Sequence, residues 1–491
     1  MRNNRLSTVI IVSLMSGALN ACVILSEFPD HKVYLPETPG NWTSETTLSD
    51  NRTETNEDYT SDWFSEIKNP ELISYVKEAI ENNSEILAAT ARLKQQRADL
   101  DAQNSSLFPS LDFLSDVSRT KSSTKGLSGK RVKNYENSFK VEAKVSWEVD
   151  VWGRLRSGIA ASQSELYQRE IDLKNAKLSI ATRVAQQWVE LIASSRQESV
   201  TRKQEQNLAH IVERTSNRYN AGLANILDLR LVQTDLSNAQ ATLTSQTNSR
   251  KQAARALEII LGRYPSAKIT TRNDLPKLEQ ELHSGIPSNL LVNRPDLLIA
   301  EQKIFAANFR VKEAEANRLP QLSLSQSTSY QNSKFKDLFD PYSLIASVAG
   351  GIIQPVFDGG KRASIVEQRK ATSDEKIADY INAVLGAYQE VEDNLTSDFY
   401  LALQEVQLTK ASNDAAESER LSQEKYFNGL ISTLDLLQAQ QRLFTINSRL
   451  IDIKKQRLQT RAILYLALGG QTIPISKTPS IASTTLNSGE K

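Results

Sequence analysis

The chain writes one turn twice. YNAGLANILDL (Tyr219 to Leu229) and YFNGLISTLDL (Tyr426 to Leu436) share a tyrosine, a glycine, two leucines, an aspartate and a closing leucine in one register. Asp228 and Asp435 are 207 residues apart, as are Gly153 and Gly360, and as are Leu261-Gly262 and Leu468-Gly469. From about 150 to 262 the copies therefore align without a gap. That constrains the fold, because one residue inserted into a long helix would rotate every later side chain by about 100°. The organisation expected is repeat 1 over 61–265 and repeat 2 over 266–470.

Each copy opens with apolar residues at three- and four-residue spacing, a helical pattern that stops at Pro109 and again at Pro320. Period two follows. Phe139, Val141, Ala143, Val145 and Trp147 alternate with Lys140, Glu142, Lys144, Ser146 and Glu148, a strand with one apolar and one charged face. Leu111, Phe113 and Val117 supply its partner, completing a β-hairpin over about 110–150 with a Ser/Lys/Gly-rich loop near 119 to 134. Leu322, Leu324 and Tyr330, then Leu344, Ala346, Val348 and Ile352, mark a second hairpin over about 321–355. Long helices begin at DVWGRLRSG and FDGGKRAS and run for about sixty residues; each turns and returns, giving helical hairpins over about 154–262 and 361–468. Ile159, Leu166, Leu173 and Ile180 recur every seven residues, as do Leu229, Leu236 and Leu243, and Leu436, Leu443 and Leu450. Such spacing means paired, supercoiled helices. Arg250 and Arg457 take the next heptad place in the two copies. The fold class expected is α+β: mostly long helices, with two β-hairpins.

A net charge of +1 argues against a nucleic-acid partner, which calls for a basic excess or stripe. After the N-terminus no stretch approaches the ~20 apolar residues of a spanning helix. His31, His210 and His283 are scattered and Cys22 is the single cysteine, so neither a disulfide framework nor a metal site is expected. No Ser/His/Asp spacing or paired-carboxylate pattern marks an enzyme. GGK at Gly359 to Lys361 lacks the rest of a phosphate loop, and no cofactor is expected. The N-terminus has the three parts of a secretory signal over 1–21, with Arg2 and Arg5, an apolar run from Leu6 to Leu19, and small residues before Cys22. LNAC (Leu19 to Cys22) resembles a bacterial lipobox, which makes Cys22 a lipidation site. The plainer alternative is a signal peptide followed by an ordinary thiol. Residues 22–60, rich in Pro, Thr, Asn, Ser and Glu, read as a tether, and 471–491 as a flexible tail of no assigned role.

An apolar strand face opposite a charged one is the pattern of a transmembrane β-barrel. Unpaired sheet edges are excluded from lipid, and four strands cannot close, since barrels start at about eight. The chain must then oligomerise. The alternative is two amphipathic hairpins packed on a soluble helical domain.

Together, the signal and lipobox, the twin helix–proline–hairpin–helical-hairpin copies, the DVWGRLR and FDGGKR junctions and the YxxGL…LDL turns resemble the outer-membrane efflux factor (TolC-like) family, lipoprotein branch. The resemblance covers about residues 60 to 470. It implies a homotrimer, with a twelve-stranded β-barrel in outer-membrane lipid continued by a helical barrel across the periplasm. It implies as partners a periplasmic adaptor and an inner-membrane pump of the resistance–nodulation–division (RND) class, discharging small molecules. A duct for type I protein secretion is the alternative conduit, and a purely structural periplasmic coiled coil the alternative outside transport. The repeated turns would then form the periplasmic aperture: Asp228 and Asp435 match its acids, and Tyr219 and Tyr426 the first tyrosine of each turn. Gln438 stands where many relatives carry a second acid, and Ile431 where some carry a latching arginine. These departures imply a less acidic aperture and a different latch. Helix capping alone is the competing role for both aspartates. Gly222 and Gly429 supply a backbone conformation that other residues avoid.

Overall fold

The computed structural model describes residues 42, 67, 69–125, 131–271, 274–278 and 293–470. The expected signal segment, Cys22, the tether other than Trp42, and the tail lie outside the described residues. Helix α1 spans Pro70–Asn82 and α2 spans Ser84–Ser105. Asn69 caps α1 by accepting from the amides of Glu71 and Leu72, with Pro70 at the first helical position, where a missing N–H costs nothing. Strands β1 (Ser110–Lys125) and β2 (Arg131–Val149) follow, then α3 (Arg154–Asn220) and α4 (Ile226–Ile260). The second copy runs α5 (Pro295–Ala316), β3 (Gln321–Asn332), β4 (Leu344–Ile353), α6 (Lys361–Phe427) and α7 (Thr433–Ala467). α3 and α6 have 67 residues each, and α4 and α7 have 35 each. At 1.5 Å per residue each long helix measures about 100 Å. The class is α+β. Among the described residues no helix is long and apolar enough to cross a membrane.

The compact units cut across the two copies. One contains the described residues of Leu93–Arg169 and Ala300–Ile381, and the other the described residues of Leu35–Arg92, Glu170–Ile299 and the stretch from Asn382 to Gly470. In the first unit the four strands form one antiparallel sheet in the order β1-β2-β3-β4, so the two hairpins are joined through β2 and β3. Paired residues share a face of a sheet, and the register sorts them by polarity. Leu111 pairs with Val145, Phe113 with Ala143 and Val117 with Phe139. Trp147 pairs with Leu324 and Val149 with Leu322. Tyr330 pairs with Leu344 and Leu322 with Ile352. The opposite face carries Asp112 against Lys144, Asp116 against Lys140, and serines 323, 325, 327 and 329. Leu114, Ile345, Ala349 and Ile353 are apolar exceptions on that polar face, and Ser115, Gln326, Thr328 and Asn332 are polar exceptions on the apolar one.

The loop expected near 119 to 134 is mostly strand: pairing continues to Lys125↔Arg131. Backbone hydrogen bonding does not need an apolar face, so the ladder outlasts the hydropathy signal that marks it.

The second unit is built on α3. Leu178, Ile180, Val184, Trp188 and Ile192 are buried with Leu72 and Val76 of α1, Ala254 and Leu257 of α4, and Leu458 and Ala462 of α7. Trp188 is fully buried, and its indole N–H donates to Glu71 Oε2 at 3.3 Å. Elsewhere in this unit Trp42, 1% exposed, is packed among Val391, Leu395, Leu464 and Ala467.

Both copies reuse two devices within this unit. Arg250 of α4 donates to Glu198 of α3 at 2.5 Å, and Arg457 of α7 donates to Glu405 of α6 at 2.9 Å. Burial opposes ionisation of Glu198, but the bonds from Arg250 and Arg202 outweigh it and hold the carboxyl below its ordinary value. After α4 and α7 come Gly262 (φ +76°) and Gly469 (φ +89°), where a Cβ would lie 2.9 Å from the Asn82 carbonyl oxygen and 2.7 Å from that of Asn293. Glycine is required at both for conformation and for space.

Candidate functional site

The repeated turns are built as C-terminal caps followed by N-terminal caps. At the end of α3, Gly222 N donates to Tyr219 O at 2.9 Å and Leu223 N to Arg218 O at 2.8 Å. At the end of α6, Gly429 N donates to Tyr426 O at 3.0 Å and Leu430 N to Lys425 O at 2.9 Å. This pair of bonds is the Schellman arrangement, which places the glycine in the left-handed region. Gly222 has φ +73° and Gly429 φ +70°, and no atom lies within 4 Å of a Cβ built on either. Conformation alone demands these two glycines.

The next helices start differently in the two copies. Ser432 caps α7 and Asp435, three residues on, returns the bond: Asp435 N donates to Ser432 Oγ at 3.2 Å, while Ser432 N donates to Asp435 Oδ2 at 3.0 Å. This capping box satisfies two amides that a helix start leaves open. The Ser432 hydroxyl also donates to Asp435 Oδ2 at 2.7 Å, and that bond, with the one from the Ser432 amide, holds the carboxyl below its usual range. Asp228 occupies the same third place in α4, but there Asn225 caps by accepting from Leu227 N at 3.2 Å. Asp435 and Gln438 are exposed and Asp228 is half-buried.

The tyrosines also diverge. Tyr426 is 4% exposed, and Tyr219 is 40% exposed. The Tyr426 hydroxyl lies 3.2 Å from Thr215 Oγ1 of α3, in a bond buried at both ends. Arg218 of α3 sits 5.6 Å from the centre of the Tyr426 ring, and Arg214 sits 4.3 Å from that of Phe427. Around them Leu208 and Ile211 of α3, Leu229, Val232 and Ala239 of α4, and Leu436 and Leu437 of α7 form one apolar cluster, with Ile431 packed against it. The structure therefore joins the two turns through Tyr426, and Tyr219 takes no part. Within α4, burial pushes the Asp235 carboxyl up.

Thr215, Arg214 and Arg218 are absent from the residues the sequence singles out. Their signal in the sequence is faint, because Thr215 differs from its counterpart Ser422 only by a methyl group. The ion pairs were more legible: Glu198 and Glu405 stand at the same 207-residue separation as their arginines. Among the described residues no group of three or more His, Cys, Asp or Glu is placed to hold a metal ion.

Comparison with known proteins shows the family and the fold. Residues 75–263 and 286–470 match the family described as "Outer membrane efflux protein", one match per copy. The chain is 28% identical over 414 residues to outer membrane protein OprJ of Pseudomonas aeruginosa, covering 84% of this chain and 86% of that one. It is 29% identical over 423 residues to the solvent efflux pump outer membrane protein SrpC of Pseudomonas putida, covering 82% and 86%. In fold it superposes on the CmeC outer membrane channel of Campylobacter jejuni with a TM-score of 0.83 at 23% identity, over 90% of this chain and 94% of that one.

Proposed function

The chain belongs to the outer membrane efflux protein family, whose members are channels rather than enzymes, and from that premise we propose that it is the exit duct of a tripartite pump. In this reading an RND-type pump in the inner membrane and a periplasmic adaptor deliver small molecules, drugs or toxic compounds among them, and the duct releases them. The observation that carries it is the sheet register, which collects Leu111, Phe113, Val117, Val145, Trp147, Leu322, Leu324, Val348 and Ile352 on one face across all four strands. Leu111, Phe113, Val117, Val348 and Ile352 are exposed, an apolar patch that calls for lipid or another chain. β1 and β4 are sheet edges, and lipid does not tolerate an unpaired edge. Three copies joined edge to edge, β1 to β4, close a barrel of about twelve strands, within the range known for membrane barrels. Acylation of Cys22 would add an anchor worth about 0.8 kcal/mol per buried methylene.

The twin turns form the periplasmic aperture in this reading. Three-fold symmetry makes Asp228 and Asp435 rings of three acids, which favour cations in a narrow pore. Capping and ring formation are compatible for Asp435, since the capped carboxylate keeps its charge. The purified protein in planar bilayers tests the proposal. Cation-selective conductance that falls in selectivity or in divalent block with Asp435→Ala supports it. An intact channel indifferent to Asp435→Ala leaves that residue the capping role only, and absence of any conductance sinks the duct. Gene deletion that sensitises cells to small toxic compounds supports pump coupling, whereas loss of an exported protein instead would favour type I secretion.

A further inference from the structure

Past the apolar band, the first hairpin changes character on one face only. β1 and β2 continue from Ser118↔Ser138 to Lys125↔Arg131, beyond the last apolar pair, Val117↔Phe139. Strand residues alternate between faces, so Arg119, Lys121, Arg131 and Lys133 lie on the face of Leu111, Phe113 and Val117. All four are exposed, and from Arg119 to Lys133 the described residues place no acid on that face; Glu136 lies on the other. Tyr135 stands between them, its ring centre 5.2 Å from the Arg119 guanidinium and 5.5 Å from the Lys121 ammonium. The aromatic ring holds two cations side by side, where bare like charges would separate.

A second, independent feature sets the level of this patch. Phe139 packs edge-on against Phe335 with ring centres 5.6 Å apart, and Tyr330 against Phe339 at 5.7 Å. Phe335, Phe339 and Tyr342 are exposed. These rings sit at the tip of the second hairpin, at the upper limit of the apolar face, where Phe139 pairs with Asn332. Aromatic side chains of this kind gather at the boundary between hydrocarbon and headgroups. Below them β2 runs apolar on this face down to Val149, about 34 Å of strand at ~3.4 Å per residue. At a tilt near 45° this is about 25 Å of height, the thickness of the apolar band on membrane barrels. The cations therefore begin one strand step above the aromatic boundary, on the lipid-facing side and at the end away from the helices that enter and leave the sheet.

The geometry points to a lipid-binding site: Arg119, Lys121, Arg131 and Lys133 form a cationic face that binds the phosphate groups of anionic glycolipid in the outer leaflet. This rests on the barrel reading. A cluster serving solubility would project cations from both faces, whereas the pleat puts these four on the face continuous with the apolar band. The polar face alongside carries Ser118, Thr120, Ser122, Asn134 and Glu136.

Full-length protein extracted from outer membranes in mild detergent, examined by native mass spectrometry for retained phosphorylated glycolipid, tests the site. Wild type should retain it. The combined variant Arg119→Gln, Lys121→Gln, Arg131→Gln and Lys133→Gln should retain at least about tenfold less, since each cation held at an anionic surface strengthens binding about fivefold. Lys140→Gln with Lys144→Gln, which removes two cations from the opposite face of β2, should retain the wild-type amount. If the fourfold variant fails to insert, the Arg119→Gln/Lys121→Gln and Arg131→Gln/Lys133→Gln pairs should each show an intermediate loss. Glycolipid stripped of its phosphates should bind wild type and variant alike, and inorganic phosphate in millimolar excess should not displace the lipid. Equal retention by an inserted variant overturns the site, as does an equal loss with the Lys140/Lys144 control or displacement by inorganic phosphate alone. Failure of the wild type to resist alkaline extraction from membranes would sink the barrel reading instead.

Discussion

Tyr426→Phe keeps the ring in its apolar cluster and deletes the hydroxyl that lies 3.2 Å from Thr215 Oγ1. Both residues are buried, so the deletion strands a hydroxyl away from water. An unsatisfied buried polar group costs about 1–3 kcal/mol. Thr215 lies inside α3, where a threonine hydroxyl can turn back to the carbonyl four residues earlier. That fallback puts the cost near the lower end, at about 1 kcal/mol. If the turns form the three-fold aperture proposed above and all three bonds break together on opening, three such losses sum to about 3 kcal/mol, roughly a hundredfold in the ratio of open to closed channels. Planar-bilayer recording reads this ratio directly. Tyr426→Phe and Thr215→Val should each raise open probability, and the double variant should lie closer to wild type than either, because removing both partners leaves nothing unsatisfied. Single variants that gate as wild type does, or a double variant whose effect is the sum of the two, would refute the assignment of this bond as the tie between the turns.

Three other expectations follow from the same geometry. Gly429→Ala should cost only the left-handed backbone penalty of about 1–2 kcal/mol, whereas Gly469→Ala, facing the Asn293 carbonyl, should cost visibly more in thermal unfolding of the purified protein. Equal melting shifts would mean that the close approach is not rigid. The Asp435 carboxyl has its folded pKa below the unfolded value of about 3.9, so its stabilisation is complete above that value and is lost as pH falls through the folded one. Exchange of the Leu436 amide, which bonds Ser432 O at 3.4 Å, should therefore be protected equally from about pH 5 to 8 and loosen only in strong acid, a dependence that Asp435→Asn should abolish. Trp42→Ala should lower stability by about 3–5 kcal/mol, the usual cost of emptying a buried aromatic site; a melting curve unchanged from wild type would show that its contacts with Val391, Leu395, Leu464 and Ala467 contribute nothing.

Much of the fold was legible because its signals are periodic and written twice. The alternation at Phe139 to Trp147 lies in β2, and Pro109 and Pro320 stand just ahead of β1 and β3. The stretch near 119 to 134 misled, since hydropathy reports what a strand face touches, not whether its backbone is paired. In the candidate site the glycines and the capping role of Asp435 followed from local rules. The burial of Tyr426 did not, because Tyr219 stands in the same local context and remains exposed. Nor did the buried ion pair between Arg461 Nε and Asp398 Oδ1 at 3.0 Å, where the first copy has Ala254 and Leu191. Its members are 63 residues apart and follow no repeat.

Outside the stretch at 119–134, the sequence by itself determined which segments are helix and strand, where the long helices reverse, and which side of the strands is apolar. These are properties of a residue and its near neighbours, repeated until the pattern is unmistakable. Tertiary structure alone decided that the hairpins of the two copies share one sheet through β2 and β3, and that one tyrosine of a matched pair is enclosed while the other is not. Both outcomes depend on which surface arrives opposite. A repeat specifies its own face twice, but in a single chain its two copies pack in different surroundings.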